Sequence, residues 1–256
     1  MSRPASGVLH GRVAIVTGGG RGVGRALSIG LALAGARVVV AGRTERPCLE
    51  TVEEIRSAGG QAHMVVSDVS RVEGRYRLVE ESVATFGAID ILVNNAAVLK
   101  PHHTLKVTEG ELDEIFATNL KGPVFLSQLA YPYLREGGRG SIINFAALGA
   151  FQPLPGIGAY CAVKAALINW TSTMAKEWTP SGVRVNALVP GPVATEMILP
   201  TDPVRRAAFE AEMSAATLVG RMAMPEDLVG AVVFLAGDDS SFMTGRSLFM
   251  DGGMLA

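Results

Sequence analysis

Val13-Ala14-Ile15-Val16-Thr17-Gly18-Gly19-Gly20-Arg21-Gly22-Val23-Gly24 decides how this chain folds. The first five residues form a compact apolar, β-branched run, as expected of a strand buried on both faces of a parallel sheet. Glycines then dominate, and helical spacing begins at residues 25–34. Glycine there lets the backbone turn tightly and approach a pyrophosphate closely. The following helix aims free N–H groups and the positive end of its dipole at the same point. Alone, a glycine-rich turn is only a flexible loop. Between the first strand and the first helix of a βαβ unit, it predicts dinucleotide binding.

The alternation continues outward. Further apolar runs occupy residues 37–41, 62–66, 89–93, 141–145, 183–188 and 247–250. Helical spacing occupies residues 48–57, 75–86, 111–134, 159–178 and 226–236. Repeated β-α units predict right-handed crossovers and a doubly wound α/β sheet with helices on both faces. No short-period repeat, low-complexity tract or linker interrupts the pattern. One domain over residues 11–256, after an N-terminal tail at 1–10, is the simplest account.

Composition narrows the function classes. Of 256 residues, 48% are hydrophobic and 18% charged, which marks a globular chain. The net charge of -1 and the lack of a long basic run give no reason to expect a nucleic-acid partner. Residues 1–10 contain one arginine and no apolar stretch, so they do not read as a secretory signal. No apolar run reaches membrane-spanning length. Cys48 and Cys161 are the two cysteines, too few for a disulfide framework. A reduced, cytoplasmic setting is expected.

The end of the second strand discriminates between cofactors. An acidic residue there would bind the ribose hydroxyls of NAD and repel a 2′-phosphate. This chain has Gly42 followed by Arg43, and Arg21 in the glycine loop can approach the same place. Two guanidiniums without a carboxylate suit the 2′-phosphate of NADP(H) over NAD(H). The plainer reading is a pair of solvated surface arginines.

Several ordered motifs together resemble the short-chain dehydrogenase/reductases, in the branch of about 250 residues. Thr17 to Gly24, including Gly18, Gly20, Arg21, Gly22 and Val23, is similar to the family's TGxxxGxG. Asp68-Val69 matches the position that contacts adenine. Asn94-Asn95-Ala96-Ala97 resembles NNAG with Ala97 in place of glycine, and Asn95 and Ala96 would run along the cofactor. Asn119 matches the helix asparagine that holds a proton-relay water. Tyr160-Cys161-Ala162-Val163-Lys164 matches YxxxK. Pro190-Gly191-Pro192-Val193-Ala194-Thr195 matches PGxxxT, which holds the nicotinamide amide. Asp251-Gly252-Gly253 follows the last strand as in the family, and the tail resembles bacterial 3-oxoacyl-thioester reductases and gluconate or deoxygluconate dehydrogenases. The resemblance implies a Rossmann-type sheet of about seven strands, a substrate lid at about 192–218 and a homotetramer. No matching ligand spacing accompanies His102 and His103, so no metal is expected.

Tyr160 and Lys164 lie four positions apart and share one helical face. An ordinary phenol has a pKa of about 10, and a neighbouring ammonium is expected to lower it. The phenol can then pass a proton to or from the substrate oxygen as hydride moves. The resemblance adds ribose binding by Lys164. The family's serine, thirteen residues before the tyrosine, falls at Ala147, which cannot donate a hydrogen bond. Loss of one such donor typically costs about 10²–10³ in turnover.

Four accounts of Ala147 stand open. The position was engineered from serine. The enzyme is slow or uses another donor. The substrate is an activated C=C bond. Or the protein binds cofactor without turnover. The leading expectation is carbonyl–alcohol interconversion of a small molecule. His102 and His103 border the expected crevice as an exposed loop or as substrate contacts. Trp170, Met174 and Trp178 form an apolar stripe that suits a core or a subunit interface.

Overall fold

The computed structural model describes residues 7–256. Seven parallel strands make one sheet: β1 (Val13–Thr17), β2 (Arg37–Gly42), β3 (Gln61–Val66), β4 (Ile91–Asn94), β5 (Gly140–Phe145), β6 (Val183–Pro190) and β7 (Ser247–Met250). Their order is β3-β2-β1-β4-β5-β6-β7. β1 pairs with β2 on one side and β4 on the other. The winding reverses there, which opens a crevice at the carboxyl ends of β1 and β4.

Successive strand residues point to opposite faces, so each strand feeds two cores. On one face Ala14, Val16, Val38 and Val40 pack against Leu27 and Leu31 of α1 (Gly22–Leu33), Val52 and Ile55 of α2 (Glu45–Ser57), and Val232 and Leu235 further on. On the other, Ile15, Val39, Leu92 and Ile142 meet Leu78 of α3 (Val72–Phe86) and residues of later helices. The edge strands β3 and β7 are only partly buried, unlike the central five.

Residues 1–6 of the expected tail lie outside the described residues. Residues 7–10 are not a tail. Leu9 is fully buried, and its N–H donates to the Ala34 carbonyl at 2.9 Å. A leucine there completes the core beneath α1.

The helix expected over 111–134 is present, but its hydrogen bonding changes partway along. α4 (Glu109–Phe116) starts on a Thr108/Glu111 capping box and leads into a π-helical turn, Ala117–Lys121, then α5 (Gly122–Glu136). Pro123 has no N–H to continue an α-helical ladder, and the Gly122 N–H reaches Ala117 instead. α6 (Gly158–Trp178) follows β5. The sequence reading assigned no helix to α7 (Pro203–Ala215), which starts on an Asp202 cap and buries no residue. α8 (Val229–Ala236) ends on two arginines. Arg12 donates to the Ala236 carbonyl and pairs with Asp238, while Arg184 donates to the Leu235 and Gly237 carbonyls at 3.0 Å. The carbonyls that end a helix lack internal partners, and these side chains supply them. Among the described residues, no helix is long and apolar enough to cross a membrane.

Candidate active site

Thr17 clamps the two strands on either side of the crevice. Its Oγ1 accepts the N–H groups of Asn95 and Ala96, both at 3.0 Å, and donates to the Val93 carbonyl at 3.2 Å. Asn95 Nδ2 returns a bond to the Thr17 carbonyl at 2.9 Å. Gly18 then turns with φ of 67°. A β-carbon at Gly24 would overlap the Gly18 carbonyl oxygen and lie 2.7 Å from Asn95 Nδ2, so the loop folds this tightly only around glycine.

α1 begins with no side-chain cap and no acidic residue in its first turn. Its N–H groups are open to an anion. Gly22 lies close to Thr195, whose methyl a β-carbon at 22 would meet at 3.4 Å. The first motif and PGxxxT therefore meet over the crevice. A side-chain-free cradle, an uncapped helix start and an absent acid fit a bound pyrophosphate.

At the adenosine end, Gly42 closes β2, and Arg21 and Arg43 are both exposed. Asp68 Oδ1 accepts from the N–H and hydroxyl of Ser70, at 2.9 and 2.7 Å, which fixes the carboxylate beside buried Val69. Beyond β6 and Pro190, the Gly191 N–H donates to the Met250 carbonyl at 3.0 Å. A β-carbon at 191 would lie 2.8 Å from Asp251 Cα. Val193 is buried and bridges Ala223. Asp251 accepts from the N–H groups of Gly253 and Leu255, both at 3.0 Å, which curls the C-terminus against Ala146 and Leu148.

α6 brings Tyr160 and Lys164 onto one face. Lys164 Nζ lies 5.5 Å from the centre of the Tyr160 ring and donates to the Phe145 carbonyl at 2.5 Å. Burial pushes the Lys164 ammonium down to about 8. Burial, with a smaller contribution from Cys161, pushes the Tyr160 phenol up from its ordinary value. This corrects the expectation that Lys164 lowers it. The ammonium donates to a backbone carbonyl, and desolvation of the phenolate sets the direction of the shift. Ala147 follows β5 in extended conformation, with φ of -163° and ψ of 163°. It presents only a methyl.

Asn119 is fully buried in the π-helical turn. Its Oδ1 accepts from the Val98 N–H and its Nδ2 donates to the Val98 carbonyl, both at 2.8 Å. The side chain thus ties the segment after β4 to the turn, and π-helical turns recur at functional sites.

Sequence reasoning missed a buried polar chain beneath the site. Asn94 Nδ2 donates to Ser127 Oγ at 3.1 Å and to Asn144 Oδ1 at 2.8 Å, and Asn144 Nδ2 donates to Thr171 Oγ1 at 2.9 Å. It links β4, β5, α5 and α6. An asparagine inside an otherwise apolar strand was the available signal, since such a group needs a partner. His102 was seen without its role. Its Nδ1 bonds the Lys100 carbonyl at 2.9 Å, leaving Nε2 to accept the Ala159 N–H at 3.5 Å, at the start of α6. His103 instead caps a short turn by accepting from the Leu105 N–H. Trp170 is exposed and Met174 buried, while Trp178 packs on Tyr131 with ring centres 4.8 Å apart.

A doubly wound parallel sheet with this cradle at its reversal point defines a dinucleotide-binding α/β protein. Comparison with known proteins narrows the class. A family model described as enoyl-(acyl carrier protein) reductase matches residues 18–255. A 2-dehydro-3-deoxy-D-gluconate 5-dehydrogenase of Dickeya dadantii is 35% identical over 97% of both chains. A short-chain type dehydrogenase/reductase from Mycobacterium marinum superposes with a TM-score of 0.89 at 32% identity, over 98% of this chain and 97% of that one. A gluconate 5-dehydrogenase from Burkholderia cenocepacia, solved with NADP and tartrate, superposes at 0.91 with 33% identity over 98% and 97%. The chain belongs to the short-chain dehydrogenase/reductase family. It is an oxidoreductase of carbonyl and alcohol groups that works with a nicotinamide cofactor.

Proposed function

We propose that the chain reduces a ketone on a small polyhydroxylated or acidic molecule with NADPH, and that Tyr160 supplies the proton. The observation that supports this reading is Lys164, which bonds the Phe145 carbonyl at the carboxyl end of β5, two residues before Ala147, with its Nζ 5.5 Å from the centre of the Tyr160 ring. The bound nicotinamide would supply hydride to the carbonyl carbon. Tyr160 Oη would give its proton to the carbonyl oxygen. A phenol raised by burial is fully protonated at neutral pH, which favours reduction.

Lys164 would exchange its Phe145 partner for the nicotinamide ribose hydroxyls. The turn that Asn119 locks would pass protons back to the phenol. Gly18, Gly20, Arg21, Gly22, Val23 and Gly24 would hold the pyrophosphate, and Asp68 and Val69 the adenine. Asn95 and Ala96 would line the cofactor's path, and Pro190, Gly191, Val193 and Thr195 would receive the nicotinamide amide. Arg21 and Arg43 would bind the 2′-phosphate, a choice supported by the NADP in the Burkholderia cenocepacia structure. Residues 192–218, with no residue of α7 fully buried, would close over the substrate. By family resemblance, the working form would be a cytoplasmic homotetramer.

Ala147 favours one second reading. An activated C=C bond needs no donor there, and the matching family model carries an enoyl reductase description. NADPH oxidation against sugar-acid ketones, diketones and enones separates the two, with Ala147→Ser compared. The ketone reading expects slow turnover that serine raises by about 10²-fold. Enone reduction indifferent to serine would replace it. Tight NADPH binding without turnover by either protein would rule out both.

A further inference from the structure

The absence of a side chain at position 42 has a cause inside the protein. Gly42 ends β2 in register with Val66, and its backbone is not in the left-handed region. The main chain would therefore accept any residue. What excludes one is Cys48. A β-carbon at 42 would lie 2.7 Å from Cys48 Sγ, closer than real contacts allow. Cys48, on the first turns of α2, is 2% exposed and packed in the core with Val52 and Ile55. Its sulfur has little room to withdraw. The same residue lies beneath the glycine loop. A β-carbon at Gly20 would meet Cys48 N at 2.8 Å and Sγ at 3.0 Å. The Arg21 guanidinium is near enough to oppose the upward push that burial gives the thiol.

We propose that Cys48 is a specificity-determining residue for the cofactor: its sulfur keeps position 42 side-chain-free and so excludes the carboxylate that would select NAD(H) over NADP(H). Cys48 acts by volume, not by reactivity. It fills the space below two glycines, and the floor it makes would leave the 2′-position of a bound adenosine ribose open to Arg21 and Arg43. The selection at 42 is thus made by two positions. An acid introduced at 42 alone must displace either the sulfur or the end of β2. With the sulfur removed, the acid fits and can bind ribose hydroxyls.

This rests on the NADP(H) reading above, and the test separates the two. Dissociation constants for NADPH and NADH are measured by fluorescence titration for the native chain, Gly42→Asp, Cys48→Ala and the double variant. Thermal midpoints are measured without cofactor. The native chain and Cys48→Ala are expected to prefer NADPH by at least tenfold. Gly42→Asp is expected to lose NADPH affinity, gain little for NADH and melt several degrees lower. Adding Cys48→Ala is expected to recover most of that midpoint and tighten NADH binding at least tenfold over the single variant.

Native preference for NADH would overturn the cofactor reading. Native preference for NADPH, with Gly42→Asp binding NADH as tightly as the double variant, would overturn the role of Cys48 alone. Should Gly42→Asp fail to fold, Gly42→Ala with and without Cys48→Ala gives the packing term directly. Additive changes in midpoint would sink the proposal, and a midpoint loss at Gly42→Ala that Cys48→Ala relieves would sustain it.

Discussion

Replacing Thr17 with valine keeps the shape of the side chain and removes one oxygen. That oxygen serves three bonds: N–H groups of Asn95 and Ala96 donate to it, and it donates to the Val93 carbonyl. Thr17 is 2% exposed, so valine adds no strain from solvent exposure. Two N–H groups lose their acceptor, and each unsatisfied buried group costs about 1–3 kcal/mol. Asn95 and Ala96 are half-buried, so some water reaches them and the lower half of that range applies. The expected loss is about 2–4 kcal/mol. For a domain of this size that is a fall of roughly 4–16 °C in the thermal midpoint. The clamp also aligns Gly18 with the Asn95–Ala96 segment, so NADPH binding should weaken by about tenfold, or about 1.4 kcal/mol. Urea unfolding at fixed protein concentration reads the first number and NADPH fluorescence the second. Thr17→Ser keeps the oxygen and should recover both. A valine variant that unfolds within about 0.5 kcal/mol of the native chain and binds NADPH equally would refute the clamp, since that is the range of neutral substitutions.

Gly24→Ala should abolish measurable NADPH binding, because the new methyl must push aside the Gly18 carbonyl; a titration matching the native chain would contradict the cradle. Lys164 carries a pH signature. Its pKa is depressed from an unfolded value of 10.5 to about 8, so between those values the unfolded chain binds more protons and stability rises with pH. The cost of burying the ammonium is fully present below about pH 8 and gone above 10.5, a change of roughly 3 kcal/mol. Lys164→Met should flatten that rise in urea unfolding curves collected from pH 7 to 10.5. His102→Ala should lower kcat several-fold without changing NADPH affinity, because the start of α6 loses an acceptor one residue before Tyr160. His102→Gln should restore part of it, and equal activity in all three proteins would remove His102 from the site.

The sheet was legible because buried parallel strands leave an unmistakable trace. Val13–Thr17 and Ser247–Met250 were placed to the residue, and the other strands within a few positions. The π-helical turn at 117–121 was not legible, since apolar spacing runs through it and only Pro123 and the buried Asn119 mark it. α7 escaped because a helix with no fully buried residue need not carry a pronounced apolar stripe. Leu9 was grouped with a tail for want of a pattern, though its partner Ala34 is supplied by the fold. At the site, spacing placed Tyr160 and Lys164 on one face correctly. It could not reveal how far burial desolvates the phenol, and so it mistook the direction of the Tyr160 shift. Glycine motifs announced the cradle, but Cys48 emerged only once Gly20 and Gly42 were seen above the same sulfur.

The most direct test of the account is the effect of Tyr160→Phe on hydride transfer, measured as ketone-dependent NADPH oxidation beside NADPH binding, in the native chain and on the Ala147→Ser background. The account predicts NADPH affinity within about twofold of the parent and turnover down by at least about 10² on both backgrounds, the scale of a lost general acid. Ketone reduction that survives the loss of the Tyr160 hydroxyl, with cofactor binding intact, would contradict it.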